Sequence, residues 1–380
     1  MRNLVRRAAT AALAVTAMTS MAFADITIGV TVSSTGPGAA LGIPAKNSIE
    51  LWPAEIDGEK LNVIVLDDAG DPSVATTNAR RFVNDEKADV IMGSSLTPGT
   101  IAVSSVANEV GVPHLTVAPV PPKVGNSKWT FVTPQAAGLI ARALFARMQA
   151  DGVKNVGYIG FSDSYGDLWV GQFEAIGKEY GLTLTAQERY ARPDTSVAGQ
   201  VLKLVAATPD AVFIGASGTG AALPQLALRE RGFTGPIYQT HGAVTFDFLR
   251  IAGAAADNTI LASGPAIVPE QQADTSETKA EGLAYVTAYE AKFGPNSRTQ
   301  FGPHMNDAFL IIKKAIPEAK KKAQPGTPEF RAALRDAIEN GGPVPASQGV
   351  YNFKPDDHFG MDERAVVLLT VKDGKFELVK

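Results

Sequence analysis

The sequence predicts an α/β protein of two successive halves, each a parallel sheet flanked by helices. Three observations lead there. Short apolar strand-like runs alternate with helix-like segments from Asp25 to about Arg231. The alternation breaks at a proline-rich stretch after Pro119 and then restarts. A chain of 380 residues, 45% of them hydrophobic, has length and apolar material for two cores.

The elements follow in order. "ITIGVTV" (Ile26–Val32) reads as a strand, and Ala39 to Ile56 as the helix after it. "LNVIVLD" (Leu61–Asp67) is the second strand. Pro72 opens a helix with apolar positions at Ala75, Ala79, Phe82 and Val83. "ADVIMG" is the third strand, Pro98 to Val110 a helix, and "VPHLTVAP" a fourth strand ending at Pro119. The prolines between Pro119 and Pro134 oppose helix and fit an extended crossover. Then come helix 136–150, strand "NVGYIG", helix 167–180, strand "LTLTAQERY", a helix near 197–207, strand "DAVFIG", a helix to about Arg231 and strand "PIYQT". "TILASGPAIVP" (Thr259–Pro269) reads as a second extended crossover, residues 280–340 as helical, and the tail as a β-hairpin around Asp373-Gly374.

The N-terminus carries Arg2, Arg6 and Arg7, then an apolar run from Ala8 to Met18, then Ala22-Phe23-Ala24. That order is a signal peptide cleaved after Ala24 rather than a short helix. Removing its three arginines leaves 32 basic residues against 39 acidic ones, a net charge of −7. Such a chain has no basic face for nucleic acid. Cysteine is absent, so the fold stands without disulfides, and no thiol is available for a lipid anchor. A free protein of a bacterial periplasm is expected.

Enzyme motifs fail one by one. Gly36, Gly38 and Gly42 are spaced one residue too long for the dinucleotide fingerprint, and no P-loop lysine motif exists. "GASGTG" (Gly215–Gly220) has Thr219 where the nucleophile elbow needs glycine, which leaves Ser217 as a faint candidate for a periplasmic serine hydrolase. The four histidines lack zinc-ligand spacing, so no metal and no cofactor is expected.

What recurs is a kind of loop. "SSTGPG", "GSSLTPG", "FSDSYGD" and "GASGTG" each follow a strand and feed a helix. In parallel α/β sheets ligands bind at the carboxyl ends of strands, where helix N-termini offer N–H groups and a positive dipole. Serine and threonine add uncharged donors, so the loops suit a small anion such as a carboxylate. Each hydroxyl also has the alternative of capping its own helix.

"ITIGVTVSSTGPGAALG", "VIVLDDAGDPSVATTNARRFV", "ADVIMGSSLTPGTIAVSSVANEVGVPHLTVAP", "NVGYIGFSDSYGDLWVGQFEA" and "LRERGFTGPIYQTHG" together resemble the periplasmic solute-binding proteins of branched-chain-amino-acid-type ABC transporters. The resemblance covers essentially the whole mature chain. It implies a two-lobed Venus flytrap with three crossovers: residues 1–24 as signal peptide, 25–133 and 266–343 as the first lobe, 134–265 and 344–380 as the second. It implies no catalysis, a monomer, a small carboxylate ligand and a membrane permease as partner; a ligand-sensing receptor partner is the alternative. It places the ligand carboxylate at Ser94, Ser95 and Thr97 and at Ala118 and Pro119, with Val120 where similar proteins often have threonine. Tyr165 would cover the ligand, and Ser34 and Ser217 would stand on the cleft loops. Amino-acid binders of this kind use an acid where this chain has His241, so a hydrophobic amino acid is disfavoured relative to an aromatic or aliphatic acid unless Asp163 or Asp247 supplies the charge.

Overall fold

A computed structural model describes residues 25–379; the expected signal peptide lies outside the described residues. Strand β1 (Ile26–Val32) is followed by helix α1 (Ala39–Ile49), and β2 (Glu55–Ile56) by β3 (Glu59–Asp67) and α2 (Pro72–Asn84). Next come β4 (Val90–Gly93), α3 (Thr97–Val110), β5 (His114–Thr116), the single turn α4 (Pro122–Gly125) and β6 (Thr130–Val132). They form one sheet in the order β2-β3-β1-β4-β5-β6, parallel except for the hairpin strand β2.

Strand β1 is buried along its whole length, as an apolar central strand covered on both faces must be. Ile26, Ile28, Val30 and Val32 meet one helical layer, while α2 and α3 cover the opposite face with Ala75, Phe82, Val103 and Val106. Gly29 interrupts the apolar run because Phe82 lies on it: a Cβ there would stand 2.4 Å from the ring. Gly29→Ala is therefore expected to cost about 1–3 kcal/mol through overpacking. The check is a lower urea midpoint at unchanged m-value; an unchanged midpoint contradicts this packing.

The second sheet starts after α5 (Ala137–Ala150). It takes β7 (Asn155–Phe161), β8 (Thr183–Tyr190), β9 (Ala211–Gly215), β10 (Ile237–Gln239) and β11 (Ile260–Ser263). Their connecting helices are α6 (Ser164–Ile176), α7 (Ala198–Ala206), α8 (Ala222–Glu230) and α9 (Phe246–Ala252). The chain then forms α10 (Lys279–Phe293), α11 (Phe301–Lys320) and α12 (Pro328–Asn340), and a small ribbon of β12 (Val344–Pro345) and β13 (Val350–Tyr351). It ends as β14 (Val367–Lys372) and β15 (Lys375–Leu378), whose antiparallel pair turns at Asp373 and Gly374 with φ of 49° and 69°. The sheet order is β15-β14-β11-β10-β9-β7-β8. Helix α11 returns to the first sheet, where Met305, Phe309 and Ile312 pack under β1. Among the described residues no helix is long and apolar enough to cross a membrane.

Several sequence expectations need correction. The first helix stops at Ile49 rather than Ile56: Pro53 follows, and Asp57 and Gly58, with φ of 50° and 79°, make the tight turn between β2 and β3. The helix expected over 167–180 begins at Ser164, because Asp163 accepts from the N–H groups of Tyr165 and Gly166 and caps it, and it ends at Ile176 in a 3-10 turn. The proline-rich stretch is not one extended crossover: Pro121 and Pro122 start α4, and Thr130–Val132 adds β6 beside β5. The chain leaves that sheet only after Val132. Likewise Ile260–Ser263 is a buried strand, and the second departure follows it. The second lobe was expected to resume at residue 344, yet Ala346, Tyr351 and Phe353 pack with Phe131 and Phe330 in the first core. Their aromatic bulk holds that segment until the chain reaches Val366, which packs on the second core.

Candidate functional site

The carboxyl ends of β4 and β5 face those of β7, β9 and β10 across a cavity lined from both sheets. The first sheet supplies apolar walls from Leu41, Leu96, Val117 and Phe301, with Ser95, Thr97 and His304 as polar groups. The second supplies Tyr165, Arg192, Ser217 and His241.

On the first side the organising group is Asp68, wholly buried just past β3. Its carboxylate accepts from the hydroxyls of Ser33 (2.6 Å), Ser94 (2.5 Å) and Thr31 (3.1 Å) and from the N–H of Gly70 (3.0 Å). The loops after β1 and β4 are thereby tied together, and Ser33 N–H donates to Ser95 Oγ at 3.2 Å. Two expected ligand groups are thus placed elsewhere. The Ser94 hydroxyl is committed to Asp68, and Ser34 lies outside the cavity wall with its N–H on Asp67. From the glycine-rich first loop onward, it is Leu41 rather than a serine that reaches the cavity.

Ser95, Thr97, Ala118 and Pro119 do line it. Thr97 opens α3 and donates its hydroxyl to the Pro119 carbonyl at 2.8 Å, fixing the two loops edge to edge. The position before it is Leu96, so no side chain caps this helix start. Its first-turn N–H groups, short of the one Pro98 lacks, carry the helix's positive end to the cavity wall.

On the second side Tyr165 projects from the start of α6, its hydroxyl 2.7 Å from that of Thr240. Burial pushes its phenol up to about 12, so it is neutral. Arg192 follows β8. Its guanidinium meets Asp163 at 2.7 Å, donates to Ser217 Oγ at 3.1 Å and stacks 4.1 Å over the Phe161 ring. Ser217 is therefore an acceptor from an arginine, and among the described residues no imidazole is bonded to it. His241 packs edge-on against Trp169, ring centres 5.9 Å apart, and its Nδ1 has no partner among the described residues.

No acid lines the cavity among the described residues. Asp163 caps α6 and pairs with Arg192, and exposed Asp247 pairs with Arg250 at 2.9 Å. Burial lowers His241 to about 4, and burial with His241 nearby lowers His304 to about 3, so both rings are neutral near pH 7.

These depressed values carry a pH dependence. His114, His241 and His304 fall from 6.5 to about 4, 4 and 3, so the unfolded chain takes up protons first as pH drops. Their stabilising contribution is complete above pH 6.5 and is lost on acidification below it. Asp89 and Asp307, raised from 3.8 to about 6 by burial, act oppositely below pH 6. The histidines dominate, with a net loss of about 3 kcal/mol between pH 7 and pH 5. Thermal unfolding should occur at a lower temperature at pH 5; an equal or higher midpoint contradicts this balance.

Arg192 and His304 were not anticipated. Arg192 had a signal, a cation two residues past a strand's carboxyl end. His304 sits inside a helix, and only the return of α11 across the first sheet turns it to the cavity.

A family model described as periplasmic binding protein matches residues 25–375. An extracellular ligand-binding receptor from Rhodopseudomonas palustris HaA2 is 56% identical with a TM-score of 0.92, over 94% of this chain and 100% of that one. The Leu/Ile/Val-binding protein homolog 3 of Brucella melitensis biotype 1 is 26% identical over 360 residues, 88% of each chain. In fold alone, a solute-binding protein of an R. palustris ABC transporter, solved in complex with benzoate, is similar. Its TM-score is 0.81 at 20% identity, over 94% of this chain and 96% of that one.

Proposed function

The chain belongs to the periplasmic binding protein family, and on that premise we propose that it carries a small hydrophobic carboxylate lacking an amine to an ABC-type importer. One observation carries the reading: an uncapped helix start and apolar walls border a cavity that no acid lines among the described residues. The N–H groups of α3 and the Ser95 hydroxyl hold the carboxylate. Leu41, Val117 and Phe301 take the apolar body, and Tyr165 and His241 cover it from the other sheet. A buried ammonium would meet no counter-charge, because Arg192 has already neutralised Asp163.

Ligand bridging the two halves favours the closed arrangement, which is then recognised by a membrane permease. The protein acts after export and removal of residues 1–24, and without catalysis. Thermal-shift measurements with benzoate, 3-phenylpropanoate and hexanoate against leucine, isoleucine and valine test the ligand class. The acids should raise the unfolding temperature by several degrees at concentrations well above Kd. A rise with the amino acids alone contradicts the absence of an amine, and no rise with either set removes the carboxylate.

A further inference from the structure

The three passages of the chain between the two sheets are joined by a buried amide network that ends at the cavity. Gln135 donates its amide nitrogen to the carbonyls of Gln348 (3.3 Å) and Ala365 (3.2 Å). Carbonyls only accept, so this end of Gln135 is the nitrogen and its oxygen faces away. Gln300 donates to that oxygen at 3.3 Å, while its own oxygen accepts from the Ser263 hydroxyl at 2.6 Å. The Gln300 orientation is fixed in turn, and its nitrogen stands 3.3 Å from Nε2 of His304.

A nitrogen that donates requires an acceptor. Nε2 of His304 must therefore hold a lone pair, and a neutral imidazole then carries its proton on Nδ1. The ring is 1% exposed, it lines the cavity, and Nδ1 has no partner among the described residues. Burial keeps it neutral, lowering it to about 3. A buried N–H without an acceptor is costly.

We propose that His304 presents an Nδ1–H donor to an oxygen atom of the ligand, and that Gln300, which does not line the cavity, is the positioning residue that fixes this tautomer from the crossovers. Ligand recognition is thereby tied to the arrangement of Gln135, Ser263 and Ala365, which stand where the chain passes between the two halves. The inference rests on the cavity being the ligand site. Among the described residues His241, whose Nδ1 also lacks a partner, has no such bond to select its tautomer.

Nitrogen-15 NMR of histidine-labelled full-length mature protein at pH 7 reads the tautomer without any ligand. His304 should be the Nδ1–H form; an Nε2–H form overturns the proposal. Gln300→Glu replaces the donor by an acceptor and should transfer the proton to Nε2 while weakening 3-phenylpropanoate about tenfold, the worth of one such hydrogen bond. His304→Asn, whose amide nitrogen falls near the place of Nδ1, should retain binding that His304→Leu loses. Equal binding by His304→Leu overturns the donor role. If 3-phenylpropanoate fails to bind even the parent protein, the proposed ligand class falls and the NMR tautomer alone decides the present inference. The same spectrum decides it should Gln300→Glu not fold.

Discussion

Asp68→Ala is expected to lower the unfolding free energy by about 3–5 kcal/mol and to abolish carboxylate binding. The carboxylate is buried and receives three hydroxyls and one backbone N–H from β1 and from the loops after β1, β3 and β4. Removing it leaves those donors unsatisfied in a site closed to water. It also releases Ser33, whose N–H holds the Ser95 hydroxyl at the cavity wall. Asp71, three residues on, is the control. It is exposed and caps α2 through the N–H groups of Ser73 and Val74, so Asp71→Ala should cost only about 1 kcal/mol and leave binding intact. Urea unfolding of the two variants checks the contrast, and equal losses contradict it.

Trp169→Ala should cost a further large amount, about 3–5 kcal/mol, the usual range for deleting a buried aromatic side chain. Its indole is wholly buried and stands edge-on to Phe213, Tyr165 and His241 at 6.0, 5.8 and 5.9 Å. The substitution opens a void behind the two rings that cover the cavity from the second sheet. Loss of stability should therefore come with loss of ligand affinity. Trp52→Ala supplies the comparison: that ring stacks on Phe309 at 4.7 Å in the first core, outside the cavity wall. It should lower stability and leave affinity within about threefold, a difference below 1 kcal/mol. Equal loss of affinity in both variants contradicts a special role for Trp169.

The sequence carried the parallel strands plainly because a strand buried on both faces is a continuous apolar run, as Ile26–Val32 and Ala211–Gly215 are. Strand β2 was hidden, since two residues closed by an Asp-Gly turn leave no periodicity to read. The ends of the crossovers were displaced for a related reason. Proline content opposes long helix, but it does not forbid the one turn of α4 or a short parallel strand such as β6. In the site, local spacing brought out the loops but not the direction of each side chain. Ser94 and Ser95 are neighbours, yet one turns to Asp68 and the other to the cavity. Which way each points depends on a buried aspartate that reads, in the sequence, as part of an ordinary turn. Arg192 and His304 enter the site only through tertiary packing, and among the described residues no acid lines the cavity beside them.

The central claim is that this cavity takes a hydrophobic carboxylate and rejects the corresponding amino acid. Calorimetry on matched pairs tests it most directly: 4-methylpentanoate against leucine, and 3-phenylpropanoate against phenylalanine. Each pair differs only in the ammonium group. Burying that charge without a partner costs several kcal/mol, so the acid of at least one pair should bind more than about a hundredfold tighter than its amino acid. Leucine or phenylalanine binding as tightly as its deaminated counterpart would contradict the account.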